Sequence, residues 1–203
     1  MTIPIPDSFE NQMWSKQIRM AWQVGHSLRM IAWASRPLNP NEDRNRLIAL
    51  DIFLVHTRLL CEFLHIKPSR DERDFSIVDF LIDNEEMQEV AEVQEVADID
   101  PLWSGPTEDE ISQLKPIWFL ASSELMHFSK SRTPEYLEEI VPVELTQSRR
   151  FELTGMIFSL LERALTDQSE HESRGIGCLK GELTFARAVL LGEDPQEPWI
   201  SLS

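Results

Sequence analysis

Apolar residues recur at intervals of three and four along most of this chain, the period of helices that bury one face. The pattern predicts a first helix from about Ser8 to Ser35, capped by Asp7 or Ser8 and stopped by Arg36-Pro37 and Asn39-Pro40. Its bulkiest stripe, Ile18, Trp22, His26, Met30 and Trp33, reads as the buried face, with His26 as a core residue among tryptophans. A second helix is expected from Asn41 to Ile66, with Asn41 as cap, acidic Glu42 and Asp43 in its first turn, and Pro68 beyond its end. Ala49, Phe53, His56, Leu60 and Phe63 form its seam, widened by Leu47, Leu50, Leu54 and Leu64, so it should lie at the centre of the fold.

Residues 67–106 read as an irregular acidic insertion. It contains a charged loop at 69–74, a short apolar segment at 75–82, and an acidic stretch, Asp83 to Asp100, with a weak stripe of Met87, Val90, Val93 and Val96. Thr107 and Glu110 then have the spacing of a capping box, which predicts a helix start. Pro116 implies a kink or a fresh start, leaving Ile117 to Ser131 as the substantial helix. A short helix is expected from Thr133 to before Pro142, and a long one from Glu144 to Gln168. The long one should turn Leu145, Phe151 or Glu152, Thr154, Phe158, Leu161 and Leu165 inward. Gly155 in its middle predicts close approach of a neighbour. Gly175-Ile176-Gly177 reads as a chain break before a last helix, Gly181 to Leu191, and 193–203 as an extended tail whose Trp199 docks on the body. The fold expected is all-α: a single domain, 1–203, built as an antiparallel bundle of four to five main helices plus short appended ones.

Composition narrows the function classes. The chain carries 35 acidic against 19 basic residues, a net charge of −16, which disfavours nucleic acid and anionic membranes except through a local His/Arg site. No apolar run approaches the roughly 18–20 residues of a membrane span, so no membrane role is expected. The opening Met-Thr-Ile-Pro-Ile-Pro-Asp is unlike a signal peptide, and two cysteines, Cys61 and Cys178, make no disulfide framework; a cytoplasmic location follows. Neither a P-loop nor a dinucleotide fingerprint nor a nucleophile elbow is present, and no cofactor is implied.

The chemistry rests on histidines at helical stripe positions. Glu62-x-x-His65 and Glu124-x-x-His127 each put a carboxylate and an imidazole on one helical face, the spacing used in di-iron bundles. His56, Glu124 and His127, with His26, are therefore metal-ligand candidates, and three imidazoles plus water also suit zinc. Cys61 has His65 one turn on, but its apolar surroundings should keep the thiol protonated. Arg19 to His26 and Arg58 to His65 each enclose six residues, a spacing that resembles the catalytic Arg-His motif of HEPN-type nucleases, a family of small helical bundles, often dimeric.

Val55-His56-Thr57-Arg58-Leu59-Leu60-Cys61-Glu62-Phe63-Leu64 and Leu125-Met126-His127-Phe128-Ser129 also resemble the two signature helices of a family of uncharacterised bacterial helical proteins. In those, a His-x-Arg helix is followed by a later His-bearing helix; the likeness spans roughly residues 45–165 and implies a helical bundle with no known activity. On that pattern His56, Arg58 and His127 would be neighbours, the imidazoles as acid or base and the guanidinium on a phosphate. They would equally suit a buried polar cluster with Glu62 or Glu124. An interaction or regulatory role with a protein partner or a second copy, as a homodimer, comes first; a HEPN-like ribonuclease and a metal-binding bundle remain beside it.

Overall fold

The computed structural model describes residues 9–36, 43–67, 75–82, 103–126, 145–166 and 173–193. These hold six helices and no strands: α1 Phe9–Ser35, α2 Asp43–Phe63, α3 Ile77–Ile82, α4 Glu108–Met126, α5 Gln147–Thr166 and α6 Arg174–Leu190. The chain is a helical bundle in which α1 packs most extensively on α6 and next on α2, while α2 also carries α4.

The buried face of α1 is not its bulkiest one. Ala21, Leu28, Ile31 and Ala32 are enclosed, whereas Trp22 and His26 are exposed and Ile18, Met30 and Trp33 only partly covered. The reason lies in α6, which crosses close to Gly25. A Cβ there would sit 2.4 Å from Glu182 Cγ. Helix axes approach this near only over small side chains, so the aromatic stripe is displaced to the outside. Glu182 is 2% exposed and its carboxylate meets Arg29 Nε at 3.3 Å.

The second close approach is Gly175, where a Cβ would meet Gln17 Cδ at 2.5 Å. Gln17 Nε2 donates to the Phe80 carbonyl at 3.2 Å and Gln17 Oε1 accepts from Ser173 Oγ at 3.2 Å, so one side chain joins α1, α3 and the start of α6. Gly175 and Gly177 thus do not break the chain: α6 runs straight through them, capped by Ser173, whose hydroxyl accepts from the Ile176 amide. Gly155, by contrast, has nothing within 4 Å of its would-be Cβ, so the contact expected there is absent.

The seam of α2 matches its pattern, with Ala49, Phe53, Leu60 and Phe63 buried and His56 partly so. The helix ends earlier than Ile66, in a Schellman turn. The Ile66 amide donates to Cys61 O at 2.9 Å and the His65 amide to Glu62 O at 3.2 Å. His65 takes the left-handed position usually given to glycine, with φ 58°. The segment at 75–82 belongs to the core rather than to an irregular insertion. Phe80 packs with Phe63 and Phe75 at ring-centre distances of 6.4 and 6.3 Å, and a Ser76–Asp79 capping pair starts α3.

The capping box that opens α4 is present: Thr107 N donates to Glu110 Oε2 at 2.7 Å and Glu110 N to Thr107 Oγ1 at 3.3 Å. Arg163 of α5 grips the same carboxylate through both of its terminal nitrogens, at 3.1 and 2.9 Å. Burial alone would raise the Glu110 pKa, but the hydrogen bonds from Arg163 and Thr107 outweigh it and hold the carboxyl below its ordinary value. Pro116 stands inside α4 without dividing it. On α5 the buried row is Arg150, Leu153, Ile157, Leu160 and Ala164, alongside Thr154, Phe158, Leu161 and Leu165; Phe151 and Glu152 point outward. The expectations for 83–100, 133–142 and Trp199 lie outside the described residues.

Candidate functional site

Because the small face of α1 is turned to α6, its polar and aromatic side lies next to α2. Between these two helices runs an open groove of about 670 Å³. Met20 and Val24 of α1, Leu59, Leu60 and Phe63 of α2, and Phe75 ahead of α3 supply apolar walls. His26, Ser27, His56 and Glu62 supply its polar groups, and exposed Trp22 stands at its edge.

His26 and His56 meet edge to face, with ring centres 5.3 Å apart and planes inclined at 76°. His56 Nδ1 and the Ser27 hydroxyl share a hydrogen bond of 3.1 Å, which fixes the ring from the α1 side. Burial, and then the charge of neighbouring His26, push the His56 pKa below its ordinary 6.5. The ring therefore sits in the groove as a neutral imidazole at neutral pH.

That shift carries a pH dependence. With its folded pKa depressed, His56 binds fewer protons in the folded chain than in the unfolded one. Its contribution to stability is thus full above 6.5 and is lost as pH falls through the folded value. Urea midpoints taken downward from neutral pH should decline through this window in the wild type and decline less in His56→Gln. Identical slopes would place the imidazole outside the groove's energetics.

Arg58, two residues on, is held on a different flank of α2. Its Nε donates to Glu62 Oε1 at 3.1 Å, and its guanidinium lies 5.9 Å from the ring centre of Trp118 on α4. Trp118 Nε1 donates to the same Glu62 oxygen at 3.0 Å, and Lys67 stacks on the indole from 5.8 Å. This polar knot joins α2 to α4 and makes Glu62 an acceptor for two fixed donors. Arg58 is not part of the groove wall, and the basic residue that lines it is Arg19.

The structure thus pairs His56 with His26, where the sequence reading paired it with His127. His127 lies outside the described residues, and Glu124 falls in the last turn of α4. His26, expected in the core, is exposed at the groove. No three His, Cys, Asp or Glu among the described residues are placed to hold a metal ion. Cys61 is buried and its thiol is pushed up to about 12, first by burial and then by Glu62, which leaves no thiolate near neutrality. Ser27 was missed by sequence reasoning, although its place beside His26 was a usable signal; nothing local marked Trp118 as the partner of Glu62.

Among the described residues no helix is long and apolar enough to cross a membrane. No family model, curated protein or solved structure matches this chain.

Proposed function

We propose that this chain is a cytoplasmic helical interaction protein that receives an apolar helical segment of a protein partner on its α1–α2 face. The observation that carries this reading is a run of solvent-exposed apolar side chains in which Trp22 and Leu59 line the groove and Ile48 and Val55 continue from Leu59 along one face of α2. Trp22, Ile48, Val55 and Leu59, all on α1 and α2, are 41–52% exposed. Contiguous apolar surface of this kind is characteristic of binding faces, and scattered single residues are not. The His56 imidazole, kept neutral mainly by burial, adds polar anchoring without the desolvation cost of a buried charge. Free Cys61 and Cys178 accord with a reducing compartment.

Phosphodiester chemistry is supported less well. It calls for several cationic groups beside the imidazoles, whereas Arg58 lies outside the groove, Arg19 alone of the basic residues described lines it, and the chain is strongly acidic.

An apolar fluorescent probe, anilinonaphthalene sulfonate, tests whether the groove accepts a ligand. The folded chain should bind it saturably, and Leu59→Gln should weaken binding by about fivefold, in line with a partly buried leucine contact. Absence of saturable binding, or equal binding by the variant, would remove the groove from this role.

A further inference from the structure

We propose that the partner of this face is a second copy of the chain, paired through the outer ridge of α2 running antiparallel to its counterpart. The proposal rests on the interaction reading above and names its partner. Ile48, Ile52, Val55 and Leu59 follow one another at spacings of four, three and four, the signature of a seam that fits another helix. Ile48, Val55 and Leu59 are 52%, 41% and 49% exposed, and Ile52 is partly covered. The inner face of the same helix, Ala49, Phe53, Leu60 and Phe63, is already buried against the body, so α2 carries two apolar faces and has spent only one.

The charges beside the ridge decide what fits it. Asp51 and Arg58 are seven residues apart and so lie on the same flank of the seam. An antiparallel copy seats Ile48 against the partner's Leu59 and Ile52 against the partner's Val55. In that register each Asp51 comes opposite the partner's Arg58, and the two-fold axis makes the pair twice. Each half of the pairing therefore supplies the complement of the other. A parallel arrangement would leave Asp51 and the partner's Arg58 two turns apart along the axis and on opposite sides of the seam, with no such pairing. Arg58 keeps its Nε on Glu62, and its side chain is still 26% exposed beside the ridge. Trp22, at the groove edge beside Leu59, would be shielded by the incoming helix.

Sedimentation equilibrium of the full chain from about 1 to about 100 µM should show a reversible dimer. Val55→Glu, at an exposed position, should leave the helical circular dichroism unchanged, and the unfolding midpoint too at concentrations where both chains are monomeric, but raise the dimer Kd at least about tenfold. Asp51→Lys should raise it about three- to tenfold at about 0.15 M salt, and added salt should recover part of the loss, because two like-charged pairs are then screened. A wild-type chain that stays monomeric, or a dimer indifferent to Val55→Glu, overturns the proposal; indifference to Asp51→Lys overturns the antiparallel register. The dye separates the two levels. A monomeric chain that still binds the probe defeats the self-pairing alone, while a monomeric chain that binds none defeats the interaction reading as well.

Discussion

Replacing Arg150 by methionine is expected to lower stability by about 3 kcal/mol, seen as a reduced urea midpoint at unchanged slope. Arg150 is only 8% exposed. Its Nε donates to Ala34 O at 3.2 Å and a terminal nitrogen donates to Leu145 O at 3.1 Å. The first of these carbonyls lies at the C-terminus of α1, where the helix leaves its last oxygens without internal partners and where positive charge is favoured. The second lies in the turn that leads into α5. One guanidinium therefore terminates one helix and fixes the entry of another, with the nearby Ser35–Thr154 hydroxyl contact of 2.8 Å completing the junction. Methionine fills much of the volume but leaves both carbonyls without these donors, and each bond from a charged donor contributes roughly 1.5–3 kcal/mol. Burial lowers the Arg150 pKa, yet the group stays protonated throughout the usable pH range. Arg150→Lys should recover less than half of the loss, since a single ammonium does not span two carbonyls as a planar guanidinium does. A loss below about 0.5 kcal/mol for methionine would show that the junction is held by packing alone.

Gly25→Ala should destabilise the fold by about 2 kcal/mol, although the same change at Gly155 should stabilise it by about 0.5–1 kcal/mol. Both glycines stand in helix interiors, where alanine is intrinsically preferred. At Gly155 the added methyl meets open space. At Gly25 it would lie 2.4, 2.6 and 2.7 Å from Glu182 Cγ, Cδ and Cβ, so α6 or the whole Glu182 side chain must move. Glu182 is buried and paired with Arg29, and displacing it also disturbs that ion pair. Comparing thermal unfolding of the two variants tests the packing directly, because propensity acts alike at both sites and only the α1–α6 contact differs. Equal shifts of the same sign would mean that the helices are not in close contact at Gly25.

These two positions show where the sequence was legible and where it was not. The seam of α2, the Thr107–Glu110 capping box and the extent of α1 were readable because each depends on neighbours within a few residues: hydrophobic period, cap spacing and proline stops. Gly155 was read as a contact site and Gly175 as a break, and both readings failed for one reason. A helical glycine is compatible with open space or with a crossing helix, and only the position of a distant helix decides. The same holds for Arg150, whose burial is set by the end of α1 more than a hundred residues away, and for His26, whose aromatic stripe looked like a core face.

The sequence by itself determined an all-helical chain, the main helices of its bundle, and a set of histidines and carboxylates at stripe positions. Tertiary structure alone decided which of those side chains meet. The α1–α6 crossing over Gly25 turned the small face of α1 inward and its aromatic face outward. It thereby brought His26 to His56 and opened a groove beside the exposed ridge of α2. The physical reason is that a helix's period tells which residues share a face, but the choice between two such faces is made by the closeness of packing that a partner helix far away in sequence permits.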